Sequence, residues 1–395
     1  MKFLFCPLAS YGFIYPAIGI AKTLYQRGHE VAFVTSLTFS EILRQAGLER
    51  IPRTAKDGPS FQVELWAEPL AIVIQVKHIE YALECFAPDV LVGHQLTIGP
   101  LIVRILHGLP VAVLGLAAYL WPASKSLLKR PPLSEGERLL VWRYGNMMEI
   151  YNRVCELFWL PLSYANYRET PLLGDLFLLQ SVPQLEEDAD VLPEKVHLIG
   201  SCLWEPPQLD AELSHWLQES NVAGEPVIYV QPGRSFQEPR IWPHLVDVLG
   251  NHQVRVVASI SRMDGQAGAI PKNFFVRNHV SQGQVLPQVQ AVISSGHTSA
   301  VLGALVHGLP SLLIPCGSGT EDIAERCQRA GAAICLSLSR VTIETLEQAM
   351  QTILNCPDLR QNAQALRQAF AKINGFEQAA DLLEQLALTR RPVLR

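Results

Sequence analysis

The chain is poor in charge and carries none of the common cofactor signatures. Asp, Glu, Lys and Arg make up only 17% of its 395 residues, and the net charge is −5. That balance gives no general attraction to nucleic acid or to an anionic membrane, and leaves room only for a local basic patch. Neither GxGxxG nor GxxxxGK(S/T) occurs, so ordinary dinucleotide and P-loop readings are weak. The eleven histidines include no HExxH or other ligand spacing, so no metal and no bound cofactor are expected. The eight cysteines (6, 85, 155, 202, 316, 327, 335 and 356) contain no CxxC and read as reduced cytoplasmic thiols. No apolar run is clean enough to span a membrane: Val90–Leu120 is interrupted by His94, Gln95, Arg104, His107 and two prolines. The apolar start, Met1–Ile20, carries Pro7, Gly12, Pro16 and a single lysine, so it reads as a buried strand and loop rather than a signal peptide.

What is present is enough apolar sequence, 49%, to fill two cores of about 150–200 residues each. Short apolar runs alternate with amphipathic ones. Lys2–Cys6, Glu30–Thr35, Val90–Gly93 and Val111–Leu114 predict strands; Pro16–Arg27, Ser40–Ala46 and Gly99–Leu106 predict helices. A second series begins at Pro226. It predicts strands at Val227–Gln231, Val254–Ser259, Phe274–Arg277, Ala291–Ser294 and Ser311–Ile314, with helices at Pro243–Leu249, Ser299–His307 and Asp322–Ala330. Two βαβ series predict an α/β protein of two Rossmann-like doubly wound domains. The expected division is 1–203, a proline-rich linker at 204–212, a second domain at 213–375 and a final helix over 376–395. Leu139–Tyr167 breaks the rhythm with a helical period and seven aromatics, read mostly as core.

The block from Val292 to Pro315, VISSGHTSAVLGALVHGLPSLLIP, is the strongest local signal. Its strand ends in Ser294-Ser295-Gly296-His297-Thr298-Ser299 and opens a helix. Small residues let an anion approach the backbone, and a helix N-terminus offers unpaired N–H groups and the positive end of its dipole. The residues alone fit an anion site or a plain strand–turn–helix with an N-cap serine.

The order of segments resembles the family 1 glycosyltransferases of GT-B fold over nearly the whole chain. The run CPLASYGFIYPAIGIAKTLYQRGHEVAFVT looks like that family's first strand, glycine loop and helix. CFAPDVLVGH and HGLPVAVL resemble its next two strands, LPEKVHLIGS the approach to its linker, and EPVIYVQPG its first C-terminal strand and turn. Val292–Pro315 resembles the donor-diphosphate motif. The resemblance implies two domains facing a cleft, with the nucleotide on the C-terminal domain and the acceptor on the N-terminal one. By it Gly233, Gly296 and the turn Ser295, His297, Thr298, Ser299 contact the diphosphate. Val280 and Gln282 lie near the base, and Thr320 and Glu321 near the sugar. Arg234 stands where a small hydroxyl residue is usual and is a candidate for bidentate phosphate binding. The final helix, Phe376–Leu388, would pack back across the cleft.

Departures from the family bear on chemistry. Phe13 occupies the place of the general-base histidine and cannot move a proton. His94 occupies the place of its aspartate partner. Either His94 serves as the base from the other wall, or no base acts because the acceptor is already nucleophilic or the cleft only binds. Ser295 stands where a phosphate-binding histidine is common, Gly303 where a ribose-binding glutamate is frequent, and Gly319-Thr320 where an acidic-Gln pair holds the sugar. Asp188-Ala189-Asp190 has metal-site spacing but reads as a solvated acidic loop. The expected activity is transfer of a sugar from a UDP- or dTDP-linked donor to a lipophilic or natural-product acceptor, inverting and metal-independent. Tyr11, Gly12, Phe13, Tyr15, Trp66, Tyr119 and Trp121 are the expected acceptor wall. Neither nucleic acid nor an integral membrane is an expected partner. The rival readings are a catalytically degenerate GT-B scaffold assisting a partner enzyme and, more remotely, a nucleotide-sugar epimerase.

Overall fold

A computed structural model describes residues 1–52, 59–123, 135–164, 166–186, 189–233, 236, 238, 240–260, 268–317 and 319–395. The chain divides into two compact units, Met1–Pro206 with Ile373–Arg395, and Pro207–Lys372.

The first unit holds a seven-stranded parallel sheet. Its strands are β1 (Lys2–Cys6), β2 (Glu30–Phe33), β3 (Glu49–Arg50), β4 (Val90–His94), β5 (Val111–Leu114), β6 (Leu176–Leu179) and β7 (Val196–Leu198), in the order β3-β2-β1-β4-β5-β6-β7. Its helices are α1 (Tyr11–Gln26), α2 (Ser40–Gln45), α3 (Pro69–Phe86), α4 (Gly99–His107) and α5 (Glu135–Leu157). The central strands are near-continuous apolar runs because a parallel sheet with helices on both faces buries both sides of its middle. All of Phe3 to Cys6 and Val90 to Val92 is buried.

Helix α1 differs from its expected start. It begins at Tyr11 and runs through Pro16. Ser10 O accepts from both Phe13 N and Ile14 N, which opens the helix a turn early. Pro16 then sits early in the helix and removes a single hydrogen bond.

The second unit holds a six-stranded parallel sheet of β8 (Val227–Gln231), β9 (Arg255–Ser259), β10 (Phe274–Arg277), β11 (Ala291–Ser294), β12 (Ser311–Leu313) and β13 (Ala333–Cys335), ordered β10-β9-β8-β11-β12-β13. Its helices are α6 (Ala211–Ala223), α7 (Ile241–Gly250), α8 (Gln282–Val285), α9 (Thr298–His307), α10 (Thr320–Arg329), α11 (Ile343–Asn355) and α12 (Pro357–Ala371). Successive residues of β8 feed opposite cores. Ile228 and Val230 join Trp242, Leu245 and Leu346, whereas Val227 and Tyr229 join Leu217, Phe275 and Leu286. The two-residue period of a strand thus fills both layers of a doubly wound fold.

The last helix, α13 (Gly375–Thr389), belongs to the first unit. Asn374 caps it by accepting from Glu377 N. Ala379, Ala380, Leu383 and Leu386 complete the core under α1. Phe376 packs directly on Gly19, where any Cβ would overlap its ring. Arg27 pairs with Glu377, with Asp381 at 2.8 Å and with Glu384 at 3.1 Å, and His29 Nε2 lies 2.8 Å from Glu384. Among the described residues no helix is long and apolar enough to cross a membrane.

Candidate functional site

In an open parallel sheet, ligands bind beyond the carboxyl ends of the strands where the strand order reverses. In the second unit that reversal lies between β8 and β11, which are neighbours in the sheet. Gly233 follows β8, and the turn Ser295-Gly296-His297 follows β11, so the fold brings them to the same place. A Cβ built on Gly233 would overlap Ser295 Oγ and lie 2.7 Å from His297 Nε2. Only glycine fits there.

The turn itself has a specific conformation. Gly296 has φ +78°, in the left-handed region, and a Cβ on it would stand 3.1 Å from Thr320 O at the start of α10. Ser294 Oγ accepts from Gly296 N at 3.3 Å. Helix α9 then starts at Thr298 without a side-chain cap hydrogen bond, which leaves its first N–H groups for another acceptor. Ser295 is 2% exposed, and its Oγ has no hydrogen-bond partner among the described residues. A buried hydroxyl without a partner is costly unless a ligand satisfies it. Helix dipole, amide groups and hydroxyl converge on one spot, a candidate anion cradle.

Around the cradle, Thr298 and Thr320 are buried, Ser299 and His297 are half-buried, and Glu321 is exposed in the first turn of α10. Thr320 Oγ1 donates to Gly317 O at 2.9 Å. Val280, expected near a base, is 5% exposed and its side chain is spent on the core with Phe275 and Leu286. Gln282 Nε2 donates to Gln231 Oε1 at 2.8 Å. Gln231 is a site-wall residue that the sequence reading did not single out. Arg234 and Asp188 lie outside the described residues.

The first unit repeats the arrangement. Its strand order reverses between β1 and β4, and Phe13, after β1, stacks on His94, at the end of β4, with ring centroids 3.7 Å apart and planes 26° apart. Tyr11 is exposed and packs edgewise on Phe39 and near Tyr15, which in turn meets Trp204. No atom lies within 4 Å of a Cβ on Gly12. Trp66 is half-buried. Tyr119 and Trp121 are a different case. Each is 1% exposed, with Tyr119 against Phe177 and Trp121 against Tyr144. Their side chains are core and offer no surface to an acceptor.

His94 is 2% exposed, and burial lowers its pKa to about 3. Leu96 N donates to its Nδ1 at 3.4 Å, and Nε2 has no partner among the described residues. A neutral imidazole of such low basicity is a poor match for a general base working near neutrality. It also makes a stability prediction. The folded-state pKa lies below the ordinary 6.5, so the unfolded chain takes up a proton that the folded chain refuses. Stability is therefore full above pH 6.5 and is lost as pH falls from there toward 3, by about 1.4 kcal/mol per pH unit. At pH 5 the loss is about 2 kcal/mol. A His94→Gln chain should lack this component, so its urea midpoint should fall less between pH 7.5 and pH 5 than that of the unaltered chain. Equal falls would contradict the buried, neutral assignment.

Comparison with known proteins agrees with this geometry. Residues 243–384 match the family described as Erythromycin biosynthesis protein CIII-like, C-terminal domain. The chain is 25% identical to 4'-demethylrebeccamycin synthase of Lentzea aerocolonigenes, over 95% of this chain and 97% of that protein. It is 24% identical to O-mycaminosyltylonolide 6-deoxyallosyltransferase of Streptomyces fradiae, over 99% and 98%. The solved structure of glycosyltransferase VinC in complex with dTDP superposes with a TM-score of 0.71 at 16% identity, covering 98% of this chain and all of that one. The chain has the GT-B fold and is a glycosyltransferase, similar to those of family 1. Within this glycosyltransferase the two switch points hold Phe13 and His94 in one unit and Ser295 and His297 in the other.

Proposed function

We propose that the glycosyltransferase moves a sugar from a UDP- or dTDP-linked donor to a lipophilic, natural-product-like acceptor, with inversion and without a metal. The reading rests on the cradle at the second switch point, where a buried serine hydroxyl without a described partner and an uncapped α9 N-terminus converge. The acceptor oxygen, its proton already lost to solvent, attacks the anomeric carbon, the bond to the diphosphate breaks, and its electron pair goes to the phosphate oxygen. Amide groups of α9 and the Ser295 hydroxyl meet that developing charge. The names of the relatives, which include a deoxyallosyltransferase and a dTDP complex, support both the chemistry and the donor class.

On the acceptor side, His94 is the candidate base at the first switch point among the described residues. Its low basicity favours an acceptor that is already nucleophilic, such as an acidic hydroxyl. Incubation with UDP-glucose and dTDP-glucose and a panel of phenolic and macrolide acceptors, read by mass spectrometry, tests the proposal. An adduct of one hexose, formed equally well in EDTA, is expected. The Phe13–His94 stack, with no well-matched base, also favours a second reading, in which the protein binds nucleotide but only assists a partner enzyme. Nucleotide binding without any adduct across the panel would select that reading.

A further inference from the structure

The first unit also holds a cavity at the amino ends of β5, β6 and β7, the opposite end of the sheet from Phe13 and His94. Gly174 precedes β6, Lys195 precedes β7, and both line it; between them Asp175 N donates to Val111 O at the start of β5. Its volume of about 420 Å³ gives room for about fourteen water-sized groups and falls in the range of small-molecule sites.

The walls are fixed by their own bonds. Arg104, on α4, is spent on Asp175, with Nε 2.7 Å from Oδ2 and Nη2 2.6 Å from Oδ1. Asn152, on α5, grips the backbone of Ser163, accepting from its N at 2.9 Å and donating to its O at 3.0 Å. That clamp ties down the segment that brings Pro161, Leu162 and Tyr164 to the cavity. Tyr164 is 84% exposed and Leu162 37%, so a ligand that covers them gains apolar burial. Proline and tyrosine rings suit a flat body.

Lys195 is the unspent group. It is half-buried, and its Nζ donates to Gly174 O at 3.0 Å, its one hydrogen bond among the described residues. An ammonium has three donors, so two remain. Burial pulls its pKa below the ordinary lysine value; Asp175 and Glu169 oppose this, and Arg104 adds to it. Two carboxylates near one unspent cation set the charge of a ligand. A monoanion is compensated there, whereas a phosphate dianion is repelled and finds the guanidinium fork already occupied.

We propose that this cavity is a binding site, separate from the transfer site, for a small aromatic carboxylate, with its charge on Lys195 and its ring against Pro161, Leu162 and Tyr164. Calorimetric titration of the full chain with naphthoate, its uncharged isostere naphthamide and naphthyl phosphate tests this. Naphthoate should bind saturably, and at least about tenfold more tightly than either of the others. Lys195→Gln should weaken naphthoate by about tenfold or more and leave naphthamide within about threefold. Should that chain fail to fold, Leu162→Glu alters only the rim, and its carboxylate should weaken naphthoate at least about fivefold more than naphthamide. Naphthamide binding as tightly as naphthoate, affinity indifferent to both substitutions, or no saturable binding of naphthoate would overturn the proposal. Tighter binding of naphthyl phosphate than of naphthoate would overturn the choice of a monoanion.

Discussion

Replacing Gly233 by valine should weaken nucleotide binding by about a hundredfold or more and abolish sugar transfer, while leaving the chain folded. The first added carbon overlaps Ser295 Oγ and stands 2.7 Å from both Ser295 Cβ and His297 Nε2. The His297 ring can swing aside, but Ser295 Cβ cannot retreat cheaply, because Ser295 is buried and the turn it belongs to leads directly into α9. The turn must shift, and the hydroxyl and amide donors shift with it. A hydrogen bond to a charged group is worth about 1.5–3 kcal/mol, so losing the alignment of even two such donors suffices for the stated factor. Titration with UDP and dTDP checks the result, with far-UV circular dichroism as the control for folding. Unchanged affinity would show that the diphosphate binds elsewhere.

A valine at Gly375 should act on stability instead. Gly375 opens α13, and a Cβ there overlaps Ser201 O and lies 2.8 Å from Ser201 C and 2.9 Å from Ile199 O. These are backbone atoms just after β7, so no rotamer change relieves the clash. Overpacking against them should cost about 3 kcal/mol or more, and the helix that closes the core beneath α1 should detach or distort. Differential scanning calorimetry should show a fall of about 6–12 °C in the melting of the first unit. A fall under 2 °C would mean that α13 contributes little to that core, contrary to the burial of Leu383 and Leu386.

The architecture was legible because parallel strands buried on both faces announce themselves as short apolar runs. β1, β2, β4, β5 and β8 to β12 all fall where such runs do. β3, β6, β7 and β13 escaped the reading. β3 is a polar two-residue strand, and β7 and β13 carry half-buried residues that blur the apolar signal, whereas the buried run of β6 simply went unread. Pro16 misplaced the start of α1, because proline marks a first turn statistically but is tolerated further in when only one bond is lost.

The candidate site was legible in parts. The glycines, serines and histidine of the cradle stood out by type, but not their convergence. Gly233 and Ser295 meet only because β8 and β11 pair across the point where the strand order reverses, and no spacing along the chain reveals that pairing. The same holds for Phe13 stacked on His94. Aromatic type alone misled at Tyr119 and Trp121, since a tyrosine or tryptophan looks the same in sequence whether it lines a ligand or fills a core. Gln282 was singled out by the resemblance, but its bond to Gln231 was not, because no spacing along the chain reveals that contact.

The account stands on a helix terminus and one buried hydroxyl holding a diphosphate. Calorimetric titration of UDP and dTDP into the unaltered chain and into a Ser295→Ala chain addresses that directly. Saturable one-to-one binding is predicted, weaker by about tenfold or more in the alanine variant, since one hydrogen bond to a charged group is lost. Affinity for both nucleotides that is indifferent to Ser295→Ala, or no saturable binding at all, would contradict it.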